Sequence, residues 1–164
     1  MKYFSGFKKN NSMKLTMLIA VFMCAAIQLC AQSPNKDYDS VLAKKLNADD
    51  YGMKKYYFVI LKTGPAQITD KAKRDSIFGG HMQNILLLAS QNKLVAAGPL
   101  GKNDKSYEGI FILNTESKTE AEKMLETDTA IKLNVLTAEY YLLYSSAALQ
   151  QIFEIHKKIE KTHF

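Results

Sequence analysis

His81 is the side chain in this sequence whose type and position best suit chemistry. An imidazole titrates near neutral pH and can act as a general base, a general acid or a nucleophile. Ile77, His81, Ile85 and Leu88 are spaced at i, i+4, i+8 and i+11, so in a helix they share one face. His81 is therefore predicted to point inward, either as a packed core residue or as a catalytic group in apolar surroundings.

Metal and phosphate chemistry have little support in the other residues. The other two histidines, His156 and His163, lie seven positions apart near the C-terminus with no third ligand nearby. The segment GPLGK at 98–102 lacks the glycine spacing and the hydroxyl residue of a phosphate-binding loop. The sequence predicts neither a bound metal nor a cofactor.

The chain begins with a segment typical of an export signal. Lys14 precedes a run of 15 mostly apolar residues at 15–29, which is shorter than the roughly 20 residues needed to span a bilayer. A polar, turn-prone sequence follows Ala31. Residues 1–31 are therefore predicted to be a signal peptide, with Met1 or Met13 as the start of translation, and the mature protein to be periplasmic or secreted.

Both cysteines, Cys24 and Cys30, fall within this N-terminal segment. Cleavage after Ala31 removes them, which excludes disulfides, thiolate nucleophiles and zinc–thiolate sites from the mature protein. The alternative is a lipoprotein anchored to the membrane through Cys30, although Leu29 stands where a lipoprotein signal needs a small residue.

The net charge of +6 and the isoelectric point near 9.2 also trace to this segment. The first 31 residues hold four lysines and no acid, which leaves 18 basic and 16 acidic side chains in the rest of the chain. These are mixed in sign along the sequence, whereas a nucleic-acid interface needs a basic stripe on the folded part. No nucleic-acid partner is predicted.

The rest of the chain reads as one α+β domain with flanking segments. Residues 32–53 are polar and are predicted to form an N-terminal tether or arm, with a short helix near 40–46 that Ser40 caps. Strands are predicted where apolar, aromatic and β-branched residues cluster between turn signals, at 54–62, 93–100, 108–114 and 135–145. Helices are predicted at 70–92, at 115–127 and, as an amphipathic helix in the C-terminal segment 146–164, at 147–161.

Local signals define the ends of these helices. Gly79 and Gly80 each cost about 1 kcal/mol relative to alanine inside a helix, so the first long helix begins either at Asp70 or near Gly80. Ser117 at the N-cap and Glu120 three residues later predict a capping box in which each side chain accepts the other residue's N–H. A short turn after Asp128 is predicted to lead into the last strand.

The order strand, helix, strand, strand, helix, strand is the ferredoxin-like βαββαβ arrangement, here at 54–145, with an added C-terminal helix. Two helices would cover one face of the sheet, yet the strands carry apolar or aromatic residues at successive positions, which is typical of a sheet covered on both faces. A second copy of the same sheet is the economical cover. A two-fold homodimer packed through the open face is therefore predicted.

Taken in order, several stretches resemble the YCII-related family of small dimeric α+β-barrel proteins. The stretches are KKYYFVILKTGP at 54–65, HMQNIL at 81–86, LVAAGPLG at 94–101, EGIFIL at 108–113 and SKTEAEKMLETD at 117–128. The resemblance covers about residues 54–144. It implies a ferredoxin-like dimer with a cavity between helix and sheet, lined by a histidine and an aspartate that fall on His81 and Asp128.

Two positions depart from the family's pattern. The family often has an arginine one helical turn before the histidine, where this chain has Phe78, and the nearest arginine, Arg74, is seven residues from His81. The aspartate is usually followed by proline, whereas Thr129 follows Asp128 here and is expected to loosen the turn. The first departure weakens the case for an anionic substrate.

The sequence and the resemblance together predict an exported enzyme of the lyase or isomerase type. His81 would serve as general base, Asp128 would orient its ring, and Gly98 and Pro99 would leave room for a small cyclic or aromatic substrate above the sheet. The alternative is a non-catalytic ligand-binding or structural homodimer of the cell envelope. Phosphohistidine signalling, another idea attached to the family, fits poorly with export.

Overall fold

The structure, a computed structural model, describes residues 35–162. The predicted signal peptide, its cleavage site, Cys30 and His163 lie outside the described residues. Contacts divide the chain into two units at Tyr38 and Asp39, and the description below concerns the unit that begins at Asp39. In the described part of the chain, no helix is long and apolar enough to cross a membrane.

Four antiparallel strands form one sheet in the spatial order β2-β3-β1-β4. The strands are β1 (Met53–Thr63), β2 (Leu94–Pro99), β3 (Tyr107–Leu113) and β4 (Leu136–Ser146). β1 lies in the centre, where Val59 pairs with Phe111 of β3 and with Tyr140 of β4. The predicted α+β class is confirmed, and this sheet with its helices is compatible with a ferredoxin-like fold.

Within residues 39–162, five α-helices accompany the sheet. They are α1 (Ser40–Lys45), α2 (Lys71–Ser90), α3 (Lys118–Leu125), α4 (Thr129–Lys132) and α5 (Ile152–Ile159), with a 3-10 turn (Ala147–Gln151) between β4 and α5. α2 and α3 bury their apolar stripes on one face of the sheet, and the core there comprises Val59, Leu61, Ile77, Leu88, Phe111, Leu113, Ala121 and Leu125. Because strand side chains alternate, Phe58 and Ile60 point to the opposite face.

Several predicted helix ends need correction. Asp39, not Ser40, caps α1, since its carboxylate accepts from the N–H groups of Val41 and Leu42 (both 2.9 Å). α2 starts directly after its cap Asp70 and runs without a break through both glycines, so a start near Gly80 is wrong.

The capping box of α3 is relayed through a third residue. Ser117 accepts from the N–H of Glu120 (3.3 Å), but the N–H of Ser117 donates to the hydroxyl of Thr115 (3.1 Å). That hydroxyl in turn donates to the Glu120 carboxylate. The predicted direct return bond from Ser117 N–H to Glu120 is therefore wrong, because Thr115 lies between them.

Two segments near the C-terminus differ from their predictions. The turn after Asp128 is a helix, α4, and the predicted continuous helix at 147–161 is a 3-10 turn followed by α5. Every residue of α5 is at least partly exposed, with Phe153 packed against the core and Ile155 and Ile159 56% and 74% exposed. The amphipathic pattern of this segment therefore predicts the helix correctly, but the apolar face of that helix is not buried in the structure.

Candidate active site

His81 and Asp128 form a buried pair at the centre of the molecule. The Nδ1 atom of His81 lies 2.7 Å from Oδ2 of Asp128. His81 is 9% exposed and Asp128 is fully buried. The two residues are 47 positions apart in the sequence, on α2 and at the start of α4, and the fold brings them together.

The two carboxylate oxygens of Asp128 have separate partners. Oδ1 accepts from the backbone N–H groups of Ala130 (3.0 Å) and Ile131 (3.3 Å), which makes Asp128 the N-cap of α4. Oδ2 is left to accept a hydrogen bond from the imidazole. The neutral histidine then carries its proton on Nδ1, and its lone pair is on Nε2.

Aromatic rings hold the imidazole on two sides. The ring of Phe111 stacks on His81 with centroids 5.8 Å apart, and the ring of Phe78 meets it edge-on at 6.0 Å. In residues 35–162, Nε2 has no hydrogen-bond partner. This nitrogen is on the side of the ring away from Asp128, and His81 lines a large cleft.

The cleft lies between α2, β2 and α5 and has a volume of about 1570 Å³, above the roughly 300–1,000 Å³ of ordinary ligand pockets. Gly98 and Pro99 of β2 line it together with His81, as does Phe153 of α5. Gly98 pairs with Ile110 of β3, so a Cβ added to Gly98 would point to the face of the sheet opposite the helices, where it would meet open space. Asp128 is absent from the lining because it is buried behind the imidazole.

A phenol lies near the same carboxylate. Burial raises the pKa of Tyr140 above its ordinary value, and the charges of Glu122, Asp128 and Glu126 raise it further. Tyr140 is packed against the core from β4 and stays protonated over the physiological range. It is a neutral neighbour of the pair and adds no charge to it.

Arg74 is a lining residue that the sequence does not identify as part of the site. It lies two turns before His81 on α2, and its guanidinium is 5.9 Å from the centre of the Phe78 ring. Among the described residues it has no carboxylate partner. The Arg74 guanidinium therefore places a positive charge at the cleft. The seven residues between Arg74 and His81 correspond to two helical turns, and this spacing is the sequence signal that could have placed both side chains on one face of α2.

Residue 129 is tied to α2. The Thr129 hydroxyl donates to the carbonyl of Ile77 (2.6 Å). A Cβ on Gly80 would lie 2.5 Å from that hydroxyl oxygen, so the close approach requires glycine at position 80. The expectation that threonine in place of proline loosens the turn is wrong, because its hydroxyl supplies a bond that proline cannot make.

The arrangement suits proton transfer more than metal chemistry. Within residues 35–162, no group of three or more His, Cys, Asp or Glu side chains is close enough to hold a metal ion. His81 lines the cleft; one of its ring nitrogens has no hydrogen-bond partner in residues 35–162, and the other is fixed by a buried carboxylate. A histidine held in this way can take a proton and be stabilised as imidazolium.

Comparisons with known proteins give little beyond this geometry. No family model and no curated protein matches the chain. Among solved structures it is similar to 5-chloro-2-hydroxyhydroquinone dehydrochlorinase (TftG) from Burkholderia phenoliruptrix AC1100, in complex with 2,5-dihydroxybenzoquinone. The two chains are 20% identical, the match covers 54% of this chain and 90% of that chain, and the TM-score is 0.34. A likeness at this level says nothing about the chemistry of the present protein.

Proposed function

We propose that this protein is an exported, YCII-like enzyme of the lyase or isomerase type, with His81 as general base. The observation that carries the proposal is the free Nε2 of His81 in the cleft, combined with the 2.7 Å contact between its Nδ1 and the buried Asp128. In this site Nδ1 is bound to Asp128, which fixes the orientation of the ring, and Nε2 is available to a ligand.

In the proposed reaction Nε2 takes a proton from a carbon or oxygen atom of the substrate. The imidazolium that forms is stabilised by the Asp128 carboxylate, which keeps its own negative charge throughout. The proton returns to a different atom of the same molecule in an isomerisation, or leaves with the departing group in an elimination. Both routes balance without a cofactor, since the electron pair released by deprotonation forms the new double bond.

The cleft supports a small cyclic or aromatic substrate. Phe78, Ile85 and Phe153 contribute apolar walls, and Gly98 and Pro99 would leave room for the ring above β2. The rings of Phe78 and Phe111 shield the His81–Asp128 pair, and this strengthens the electrostatic interaction between them. The alternative function, ligand binding without turnover in the cell envelope, would use the same cleft with His81 as a hydrogen-bonding residue.

The open face of the sheet supports the proposed homodimer. Opposite the helices it presents Phe58, Ile60, Ile110, Ile112, Tyr141 and Leu143. Tyr141 is 49% exposed. At the end of this face the Lys62 ammonium pairs with Glu139 (2.9 Å), so its charges are already matched. A second sheet packed here would bury an apolar surface that water covers in the single chain.

The test uses diethyl pyrocarbonate, which acylates a neutral imidazole nitrogen that has a free lone pair. His156 serves as the internal control because its side chain is 44% exposed, whereas that of His81 is 11% exposed. We expect His81 to react at least as fast as His156 despite its burial, as measured by peptide mass spectrometry over time.

The matched variant is Asp128→Asn. The asparagine oxygen can keep the caps on Ala130 and Ile131, while its NH₂ group then faces Nδ1 and drives the ring proton to Nε2. Acylation of His81 should slow several-fold in this variant, with His156 unchanged. Resistance of wild-type His81 to the reagent would favour a structural histidine, and saturable ligand binding without turnover would favour the alternative.

A further inference from the structure

The two residues that flank Asp128 in sequence are each bound to α2. The Thr127 hydroxyl donates to the side-chain oxygen of Asn84 (2.9 Å), one turn after His81. The Thr129 hydroxyl donates to the carbonyl of Ile77, one turn before it. We call residues 127–129 the clamp. Its two threonines are hydrogen-bonded to α2 on either side of His81, and its central residue, Asp128, contacts His81 itself.

The Thr129 contact falls on the turn that carries His81. In a regular helix the carbonyl of Ile77 accepts from the N–H of residue 81, so the Thr129 hydroxyl shares the acceptor of His81's own backbone bond. Because Asp128 is the chain neighbour of Thr129, a displacement of Thr129 relative to α2 is expected to move Asp128 relative to the imidazole.

The two glycines of α2 differ in what surrounds them. A Cβ on Gly79 would meet nothing within 4 Å, whereas a Cβ on Gly80 would lie 2.5 Å from Oγ1 and 2.8 Å from Cγ2 of Thr129. Both glycines weaken the helix to a similar degree. Only Gly80 has a contact that explains why glycine is present.

The clamp also leaves one buried polar group unpaired. The Nδ2 atom of Asn84 is buried and has no hydrogen-bond partner in the part of the chain that the structure describes. Such a group costs stability, so it is kept where another need outweighs the cost. The contact that Asn84 does make, to Thr127, holds the far end of the clamp.

We propose that Gly80, Thr129, Thr127 and Asn84 are positioning residues that hold Asp128 against His81 and so keep the imidazole proton on Nδ1. They touch no substrate and act through Asp128. The inference rests on the proposed function, because a fixed tautomer matters to a base that must offer its Nε2 lone pair to the cleft. The inference is tested by finding which ring nitrogen of His81 carries the proton, and this measurement needs no substrate.

The experiment compares Gly80→Ala with Gly79→Ala in the full chain labelled with ¹⁵N-histidine. Ring ¹⁵N shifts report which nitrogen carries the proton, and the three histidines are assigned by His→Gln variants. Wild type and Gly79→Ala should show one Nδ1–H tautomer at His81, and Gly79→Ala should unfold at higher urea. Gly80→Ala should show a mixture of tautomers, because its methyl group displaces Thr129.

A double variant separates the steric clash from the lost hydrogen bond. Gly80→Ala combined with Thr129→Ala removes the two atoms nearest the new methyl group but also the hydroxyl that bonds to Ile77, so it should regain stability without recovering the single Nδ1–H tautomer. Should Gly80→Ala fail to fold, Thr129→Val and Thr129→Ser form a second pair that differs in the hydroxyl. The serine variant should keep the wild-type tautomer and the valine variant should lose it.

The inference is overturned if Gly80→Ala folds and keeps the single tautomer of the wild type. If Gly80→Ala does not fold, the same result with Thr129→Val overturns it. A residue that serves only packing would change the urea midpoint without moving the ring proton. Failure of the proposed function looks different: the tautomer behaves as described, yet diethyl pyrocarbonate leaves His81 untouched.

Discussion

The cleft has two walls of opposite character. On the α2 side, His81 lines the cleft, and this residue together with Ile77 and Asn84 behind it is buried and bound through polar contacts to residues 127–129. On the α5 side, every residue is at least partly exposed, and α5 is joined to the core through Phe153. Hydrogen bonds fix the side chains of the α2 wall in position. The α5 wall bounds the cleft without such bonds to residues 127–129.

Under the proposed function, this difference would separate two tasks of the cleft. Proton transfer needs a base held in one geometry, which costs buried polar groups and a glycine inside a helix. Admission and release of a ligand need a boundary that can move at small cost. Under the proposed function, α2 with the clamp would meet the first need, and the partly exposed α5 would meet the second.

The largest expected effect compares the same truncation on the two walls. Phe111→Ala removes a ring that is 2% exposed and stacks on His81, and should destabilise the protein by about 3–5 kcal/mol. Phe153→Ala removes a partly buried ring and should cost less than about 2 kcal/mol. Urea unfolding at fixed protein concentration measures both, and equal losses would show that α5 is as firmly held as α2.

The next comparison uses two aspartates with the same capping pattern. Asp39 and Asp128 each accept from the backbone N–H groups two and three residues later. Asp39→Ala should cost about 0.5–1 kcal/mol as a solvent-exposed cap. Asp128→Ala should cost about 3 kcal/mol, because it leaves buried donors on α4 and on His81 without an acceptor. The free energy of unfolding of both variants checks this, and a similar cost for the two would mean that the His81 contact adds nothing.

A smaller effect is expected on the outer side of α5. Ile155→Lys and Ile159→Lys place a charge where the side chains are 56% and 74% exposed, so stability should change by no more than about 0.5 kcal/mol. Ser substitutions at the same positions control for charge. A loss of several times that size, dependent on protein concentration, would show that another surface covers these isoleucines.

The smallest effect concerns an exposed carboxylate between α1 and β1. The hydroxyl of Tyr144, and then the N–H of Met53, hold the pKa of Asp49 below its ordinary value. A lowered pKa in the folded state gives stability that is present above the unfolded pKa and is lost as pH falls through the folded one. In Tyr144→Phe the Asp49 titration, followed by carboxyl ¹³C NMR, should move upward. An unchanged midpoint would show that the tyrosine bond is not formed in solution.

The sequence predicts the elements that depend on local pattern. Four apolar strand segments appear within one or two residues of their predicted bounds, and the periodicity of Ile77, His81 and Leu88 places the histidine on the buried face of α2. Asp70 and Ser117 act as caps, as their residue types favour. These features depend on residues only a few positions apart in the chain, and for this reason they can be predicted from a single sequence.

Features that depend on distant contacts are missed. The role of Gly80 depends on Thr129, 49 residues further on, and from sequence alone the glycine pair reads only as a weakness of the helix. α4 has four residues, too few for a periodic pattern, although Asp128 is a residue type suited to cap it. The amphipathic pattern of 147–161 predicts an apolar stripe but does not say what lies against it.

Asp128 begins α4 with one oxygen and holds the imidazole with the other. The segment at 129–132 therefore cannot unravel without releasing the histidine as well. Cleavage by an added protease within 129–132 is therefore expected to report the same local opening that separates Asp128 from His81.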